Sequence, residues 1–273
     1  MFSQVVAVII FVCVLLLNPI IAEAGAWLPK KGERKIITKY NTYEYTNNFF
    51  AINYDAEDYD TYIEYGLHKK YATTFKYLQS RSEVNGRAFA ESNFFEITVK
   101  RTTPLKNGLL PPFTQTIAQY ILKLAKIEKK IIREKSSAVS LHFLFNSNNN
   151  TIGYGASLAF GDKISIGRWH LTQEAEYREF LFNKARWQGA VYRAQLGYGG
   201  LAFGQETDYF HDHKNNYRSL TQMYYVAYDV PRLPLILRFG KGEQRFGLAP
   251  PSLPNIAFTA RGDYMRFEVE YKF

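Results

Sequence analysis

The sequence predicts an all-β fold: a single transmembrane antiparallel up-and-down β-barrel of about twelve strands, with ten or fourteen strands as alternatives. Three observations lead to this prediction. Apolar and polar residues alternate with a period of two in many segments. Aromatic residues make up 16% of the chain. Beyond the first 24 residues, no apolar run approaches the length of about 18 residues that a membrane-spanning helix needs.

The first 24 residues resemble an export signal and are predicted to form no part of the fold. An apolar core runs from 5 to 17, Asn18-Pro19 interrupts it, and Ala22 and Ala24 supply the small residues of a cleavage site. The segment before the core has no Lys or Arg, which leaves an uncleaved anchor as the alternative. We therefore predict a signal peptide at 1–24 and one barrel domain at 25–273.

Composition narrows the chemistry of the mature chain. Cys13 is the only cysteine and lies within the predicted signal peptide, so we expect neither disulfides nor thiol chemistry after cleavage. The formal net charge of the full chain is +9, and it rises to +10 because Glu23 is the only charged side chain removed with the signal. No sequence motif indicates a nucleotide-binding loop, a zinc finger or a nucleic-acid partner.

The last strand, 263–273, shows the alternation most clearly. One face carries the apolar set Met265, Phe267, Val269, Tyr271 and Phe273. The other face carries Arg266, Glu268, Glu270 and Lys272. A strand with this pattern separates an apolar medium from a polar one.

Eleven further segments complete the predicted barrel. Alternation is clear in 57–67, 93–101, 151–161, 188–198 and 233–243. It is mixed in 34–45, 173–183 and 219–229, where enrichment in Tyr, Ile, Thr and Phe supports a strand. The remaining predicted strands are 70–80, 117–127 and 137–146. An even strand count places both termini on the periplasmic side.

The connections are predicted to differ between the two ends of the barrel. Mostly short periplasmic connections are expected at 68–69, 102–116, 147–150, 183–187 and 230–232. Longer polar external loops are expected at 46–56, 81–92, 128–136, 162–172, 199–218 and 244–262.

Two structural alternatives remain open. A soluble β-sandwich also alternates strands and turns, but strands of about ten residues exceed its usual length. Aromatic residues near predicted strand ends also favour a barrel, because aromatic side chains are enriched at membrane interfaces. These residues are Tyr43, Tyr45, Tyr71, Tyr198, Tyr271 and Phe273. Segment 117–135 fits either a hairpin or a basic amphipathic helix on the membrane surface, and its position between strands favours the hairpin.

The C-terminal pattern resembles the signal by which the assembly machinery of Gram-negative outer membranes accepts its barrels. The residues that carry this resemblance are Phe267, Val269, Tyr271 and the terminal Phe273. The segments 25–29, 62–67 and 138–141 resemble a little-studied group of bacterial outer-membrane barrels of porin-like, transport type. The resemblance implies a cell outer-membrane location after export, contact with outer-membrane lipid and lipopolysaccharide, and assembly by that machinery.

The charged residues on the predicted inner face indicate a function. The basic ones are Lys100, Lys123, Arg193, Arg238, Arg266 and Lys272, with Glu96, Glu268 and Glu270 in partial compensation. Basic groups around a water-filled lumen favour anions. We therefore predict a porin-like channel for small, anionic or amphipathic solutes. The alternative is an integral surface or adhesion-type barrel whose internal ion pairs close the lumen; the sequence leaves the oligomeric state open.

A rim hydrolase is a third, weaker interpretation. His211-Asp212-His213, with Asp208 nearby, lies in the longest predicted loop and has the residue types of a metal site or an acid/base pair. No second ligand pair or partner carboxylate occurs at a recognisable spacing, so a solvated loop is the preferred interpretation. His142 and Ser140 are expected to line a polar lumen. We predict no catalytic residues, no metal and no cofactor.

Overall fold

The computed structural model describes residues 27, 29–47, 52–104, 131–182, 184–214, 216–248 and 258–273. These residues form twelve antiparallel β-strands that close into a single barrel, each strand pairing with its sequence neighbours and the first with the last. Among the described residues, no helix is long and apolar enough to span a membrane. The predicted fold class and the count of twelve strands are confirmed.

The strands are long, between 12 and 18 residues each. In chain order they are β1 (Arg34–Asn47), β2 (Ile52–His68), β3 (Tyr71–Val84), β4 (Arg87–Pro104), β5 (Ile131–Asn146), β6 (Thr151–Ile166), β7 (Trp169–Phe182), β8 (Ala185–Tyr198), β9 (Leu201–Asp212), β10 (Tyr217–Asp229), β11 (Leu235–Leu248) and β12 (Phe258–Lys272).

The stagger of the strands fixes the width of the barrel. A path perpendicular to the strands leaves β12 at Lys272, crosses all the other strands and returns to β12 at Phe258, a stagger of 14 residues (272 − 258). Such a stagger corresponds to strands tilted by about 40°. Twelve tilted strands about 4.8 Å apart give a backbone radius of about 12 Å, which inward side chains partly fill.

The two faces of the wall have opposite chemistry. Large apolar side chains on the outer face are exposed, with Phe267 at 47%. Charged side chains on the inner face are buried, with Glu270 at 0%. This distribution is the reverse of that in a soluble β-sandwich, whose apolar residues face the interior. It is the distribution expected of a barrel with lipid outside and a polar lumen.

The two ends of the barrel are named here by the position of the chain termini. The terminal end contains the start of β1, the end of β12 and the connections 69–70, 167–168, 199–200 and 230–234. The distal end contains the connections 85–86, 147–150 and 213–216. The turn of Asn85 (φ 50°) and Gly86 (φ 71°) is the left-handed two-residue turn that Asn-Gly favours in hairpins.

Several predicted connections are wrong. The predicted loop 199–218 contains strand β9, and the predicted loop 81–92 is a tight turn between two long strands. Connections 147–150 and 183–187, predicted to be periplasmic, lie at the distal end, while the turn within 162–172 lies at the terminal end. The cause is one strand too many before residue 137, because β4 pairs directly with β5. The predicted strand 117–127 and the alternative helix at 117–135 lie outside the described residues, apart from 131–135, which belong to β5.

The barrel lumen as candidate functional site

The lumen contains a cavity of about 470 Å³ towards the terminal end. Its lining includes nine basic and six acidic side chains. Three further carboxylates, at most 8% exposed, are not part of the lining but pair with four of these basic residues: Glu206, Glu268 and Glu270. The basic residues are Lys30, Lys35, Lys39, Lys76, Lys100, Lys163, Arg178, Arg193 and Lys272. The acidic residues are Glu33, Asp60, Glu64, Glu96, Glu134 and Glu176. Fixed positive charge around water attracts anions.

Five of the six basic residues predicted for the lumen lie within the described part of the chain. All five alternate with outward apolar neighbours on their strands: Lys100, Arg193, Arg238, Arg266 and Lys272. Lys100, Arg193 and Lys272 line the large cavity. Arg238 and Arg266 line a smaller one of about 20 Å³. Lys123 lies outside the described residues.

Most of the inward charges are paired. Lys100 Nζ lies 2.6 Å from Glu64 Oε1 and donates a hydrogen bond to the backbone oxygen of Trp27 at 3.2 Å. Around the fully buried Glu270, the Lys35 and Lys272 amines each lie 3.2 Å from Oε1, and Arg238 Nη1 lies 3.0 Å from Oε2. The pair of Lys100 and Glu64 joins β4 to β2 across β3. Glu270 joins β12 to both of its neighbours, through Lys35 on β1 and Arg238 on β11.

One carboxylate links three strands. Glu206 on β9 accepts hydrogen bonds from Arg193 Nε on β8 and from Arg266 Nη1 on β12, each at 2.6 Å. Arg266 Nε also donates to Asn41 Oδ1 on β1 at 2.8 Å. Because β10 and β11 lie between β9 and β12 in the wall, the Glu206–Arg266 pair reaches across the inner surface of the barrel. A cavity of about 20 Å³ lies beside this network, and its Arg193 also lines the larger cavity.

The distal part of the lumen is lined by aromatic rings. Phe182 stacks on Trp187 with centroids 4.6 Å apart, and Phe94 lies 5.7 Å from Phe182. Phe210 continues the series, 5.7 Å from Trp187 and 6.1 Å from Tyr217. All five residues lie at inward positions of their strands. The lumen therefore has an aromatic distal zone and a charged terminal zone.

Inward glycines let large side chains lie flat against the wall. A Cβ at Gly155 would lie 2.3 Å from Phe180 Cδ1, and a Cβ at Gly204 would lie 2.2 Å from Tyr225 Cζ. Tyr225 crosses Gly204 and donates a hydrogen bond to Gln195 Oε1 at 3.2 Å. These glycines keep space open in the lumen, since a residue with a side chain would push its neighbour inward.

His142 belongs to a buried polar network. Its Nδ1 lies 2.6 Å from Glu96 Oε1, and its Nε2 lies 2.9 Å from Ser157 Oγ. A hydroxyl, an imidazole and a carboxylate in this order resemble the residues of a hydrolase triad. Ser157, however, is only 3% exposed and does not line the large cavity. Ser140, the partner considered from the sequence, lines the cavity without a hydrogen bond to His142 among the described contacts.

The residues of the predicted His-Asp-His loop are divided between the two faces. His211 and Asp212 end strand β9, with Asp212 buried on the inner face and His211 on the outer face. The rings of His211 and His213 lie 3.9 Å apart, and His213 Nε2 lies 2.7 Å from Gln188 Oε1. Asp208 lies on the inner face, away from both rings. Within the described ranges, no group of three or more His, Cys, Asp or Glu could hold a metal ion.

The residues of the predicted assembly signal lie on the outer face of β12 and just beyond its end. Phe267, Tyr271 and Phe273 are exposed among the lipid-facing residues, and Val269 alternates with them. The backbone of Phe273 closes the barrel through hydrogen bonds with Arg34 of 2.8 and 2.9 Å. The predicted cleavage residues Ala22 and Ala24 lie outside the described residues.

Sequence comparisons find no relative: no protein-family model matches the chain, and no curated protein is similar to it. The structure is similar to the COG4313 outer membrane channel from Pseudomonas putida F1, with a TM-score of 0.53 and 10% identity over 92% of this chain and 99% of that one. It is also similar to the KdgM porin in complex with disordered oligogalacturonate, with a TM-score of 0.49 and 10% identity over 88% and 99%. At this identity the likeness concerns the fold. The chain therefore has the fold of an outer-membrane channel: a closed barrel of antiparallel strands with an apolar outer face.

Proposed function

We propose that this barrel is a narrow channel through which small anionic solutes cross the outer membrane. The observation that carries the proposal is the set of nine basic side chains around the cavity of about 470 Å³. Six acidic side chains face the same cavity, and the other carboxylates that pair with the basic residues are buried outside its lining. Basic groups in a water-filled lumen lower the energy of an anion and raise that of a cation. The similarity to an outer membrane channel in fold supports a transport role.

The ion pairs set the size of solute that the channel accepts. Internal pairs such as Glu206 with Arg193 and Arg266 occupy part of a lumen about 12 Å in backbone radius. Solutes must pass beside this network, so the channel accepts small molecules and excludes polymers. The proposal includes no catalytic step, and the burial of Ser157 supports this view.

The experiment measures solute entry into liposomes that contain the purified barrel. Swelling should be faster in an isotonic small organic anion than in a neutral solute of equal size, and slowest in a cation of that size. Lys163→Gln removes one of the nine basic side chains around the cavity, and the advantage of the anion should shrink. Lys69→Gln removes an equal charge from an exposed turn and serves as the control.

Two results would contradict the proposal. Equal entry of the anion and the cation would exclude charge selection by the lumen. The second result is an absence of swelling with every solute, when mobility on unheated gels shows that the barrel is folded. It would favour the surface barrel with a closed lumen.

A further inference from the structure

A cluster of arginines lies outside the lumen, at the distal end. Strands β10, β11 and β12 carry Arg218, Arg245 and Arg261 at outward positions. With Tyr209 and Leu220 they line a groove of about 440 Å³. This groove is separate from the lumen cavities, because none of the residues that line it lines either of them.

The cluster carries more positive charge than its partners balance. Arg245 and Arg261 are directly opposite each other on neighbouring strands, an arrangement that is unfavourable for like charges. Both contact the single carboxylate of Glu243 and remain 55% and 70% exposed. Asp263, opposite Glu243, and Glu44, opposite Asp263, are the next acidic groups on this face. Arg218 has no ion-pair partner among the residues that the structure describes.

The surroundings of the cluster indicate what kind of anion it binds. Leu220 and Tyr209 lie opposite each other on the outer face beside the arginines. Further towards the terminal end, the same face exposes Tyr224 and Phe239, at 69% and 56%. A ligand in the groove thus has guanidinium groups on one side and lipid-facing apolar residues on the other. Phosphate is a good partner for guanidinium, which binds it through two parallel hydrogen bonds.

We propose that this groove binds the phosphate groups of lipopolysaccharide in the outer leaflet. In barrels with an even strand number both termini face the periplasm, so the distal end faces the cell exterior. The arginines then lie at the level of the phosphorylated headgroups, and the apolar face below them contacts the acyl chains. The site is independent of the proposed channel, since none of its basic residues lines the lumen cavities.

The test compares lipid binding by two double variants of the full-length barrel in detergent. Arg218→Gln with Arg261→Gln removes two charges from the cluster. Arg81→Gln with Arg186→Gln removes two other exposed arginines, each paired with a glutamate. The probe is purified lipopolysaccharide, and bound lipid is measured by native mass spectrometry. The cluster variant should bind at least tenfold more weakly than the unmodified protein, and the control should stay within about twofold.

Three further arms identify the source of the phosphate. Lipopolysaccharide stripped of its phosphates should bind the unmodified protein at least tenfold more weakly. Inorganic phosphate at the same concentration should not compete, and phosphatidylglycerol should bind more weakly than lipopolysaccharide. Any one of four results would overturn the proposal. The cluster variant could bind lipopolysaccharide as well as the unmodified protein does, or removal of the phosphates could have no effect. Inorganic phosphate could compete fully, or phosphatidylglycerol could bind with equal affinity. Unchanged solute entry through the cluster variant shows that the barrel is folded and separates this test from that of the channel.

Discussion

Replacing Glu206 by Gln should destabilise the barrel markedly. The carboxylate of Glu206 lies 2.6 Å from both Arg193 and Arg266. All three side chains are at most 15% exposed. The substituted amide would keep the size and one acceptor oxygen but leave two buried guanidinium groups without their shared counter-charge. Loss of one partner of a buried ion pair costs about 3–5 kcal/mol.

Guanidinium unfolding in detergent micelles, followed by tryptophan fluorescence, measures this loss. With an m value of about 5 kcal/mol/M, the unfolding midpoint should fall by about 0.6–1 M. Glu179→Gln is the matched control, because Glu179 pairs with Arg186 at 2.7 Å while both side chains are at least 40% exposed. Exposed pairs contribute little to stability. An equal midpoint for Glu206→Gln and the unmodified protein would refute the argument that this network holds β8, β9 and β12 together.

Two other predictions concern packing and assembly. Gly155→Ala should destabilise the barrel by about 1–3 kcal/mol, because the added Cβ would overlap Phe180. Gly247→Ala is the control and should have little effect, because its Cβ would have no atom within 4 Å. Thermal unfolding compares the two variants, and equal stabilities would contradict the packing argument. Phe273→Ser should lower the amount of folded barrel recovered from membranes, whereas Phe239→Ser, at another exposed position on the outer face, should not. Heat-modifiable gel mobility measures the folded yield of both variants. Equal yields would contradict an assembly role for the terminal residue.

The strands with an apolar outer face could be predicted from the sequence because lipid demands that face. Strand β9 could not. Its outward Gln205 and Thr207 and its inward Glu206 and Asp208 make both faces polar, so alternation disappears there. The faces of β1 are mixed as well, with Ile37 inward and Thr38 outward, but its composition still predicted a strand there. Alternation of polar and apolar residues identifies a membrane-spanning strand only where its inner and outer faces differ in polarity.

The charged lumen was partly predictable and its geometry was not. Arg193 and Arg266 followed from alternation along single strands. The contact of Glu206 with both arginines depends on the register of all the strands around the barrel. The sequence of a single strand does not give this register. Lys35 and Lys39 were missed because the first strand looked mixed. The register against β12, where they lie opposite Lys272 and Glu268, is the signal that identifies them.

The aromatic distal zone was missed for a different reason. Inward rings such as Phe182 and Trp187 cannot be told from lipid-facing rings by composition, and both kinds lie near strand ends. Their stacking across the connection between β7 and β8 appears only once the register is known.

The reversal potential of single channels in a planar bilayer tests the central claim most directly. With a salt gradient of potassium chloride across the membrane, the basic side chains around the cavity should shift the reversal potential towards the equilibrium potential of chloride. Lys163→Gln should reduce that shift, and Lys69→Gln should leave it unchanged. A reversal potential of zero, or one shifted towards the equilibrium potential of potassium, would contradict the account of an anion-favouring channel.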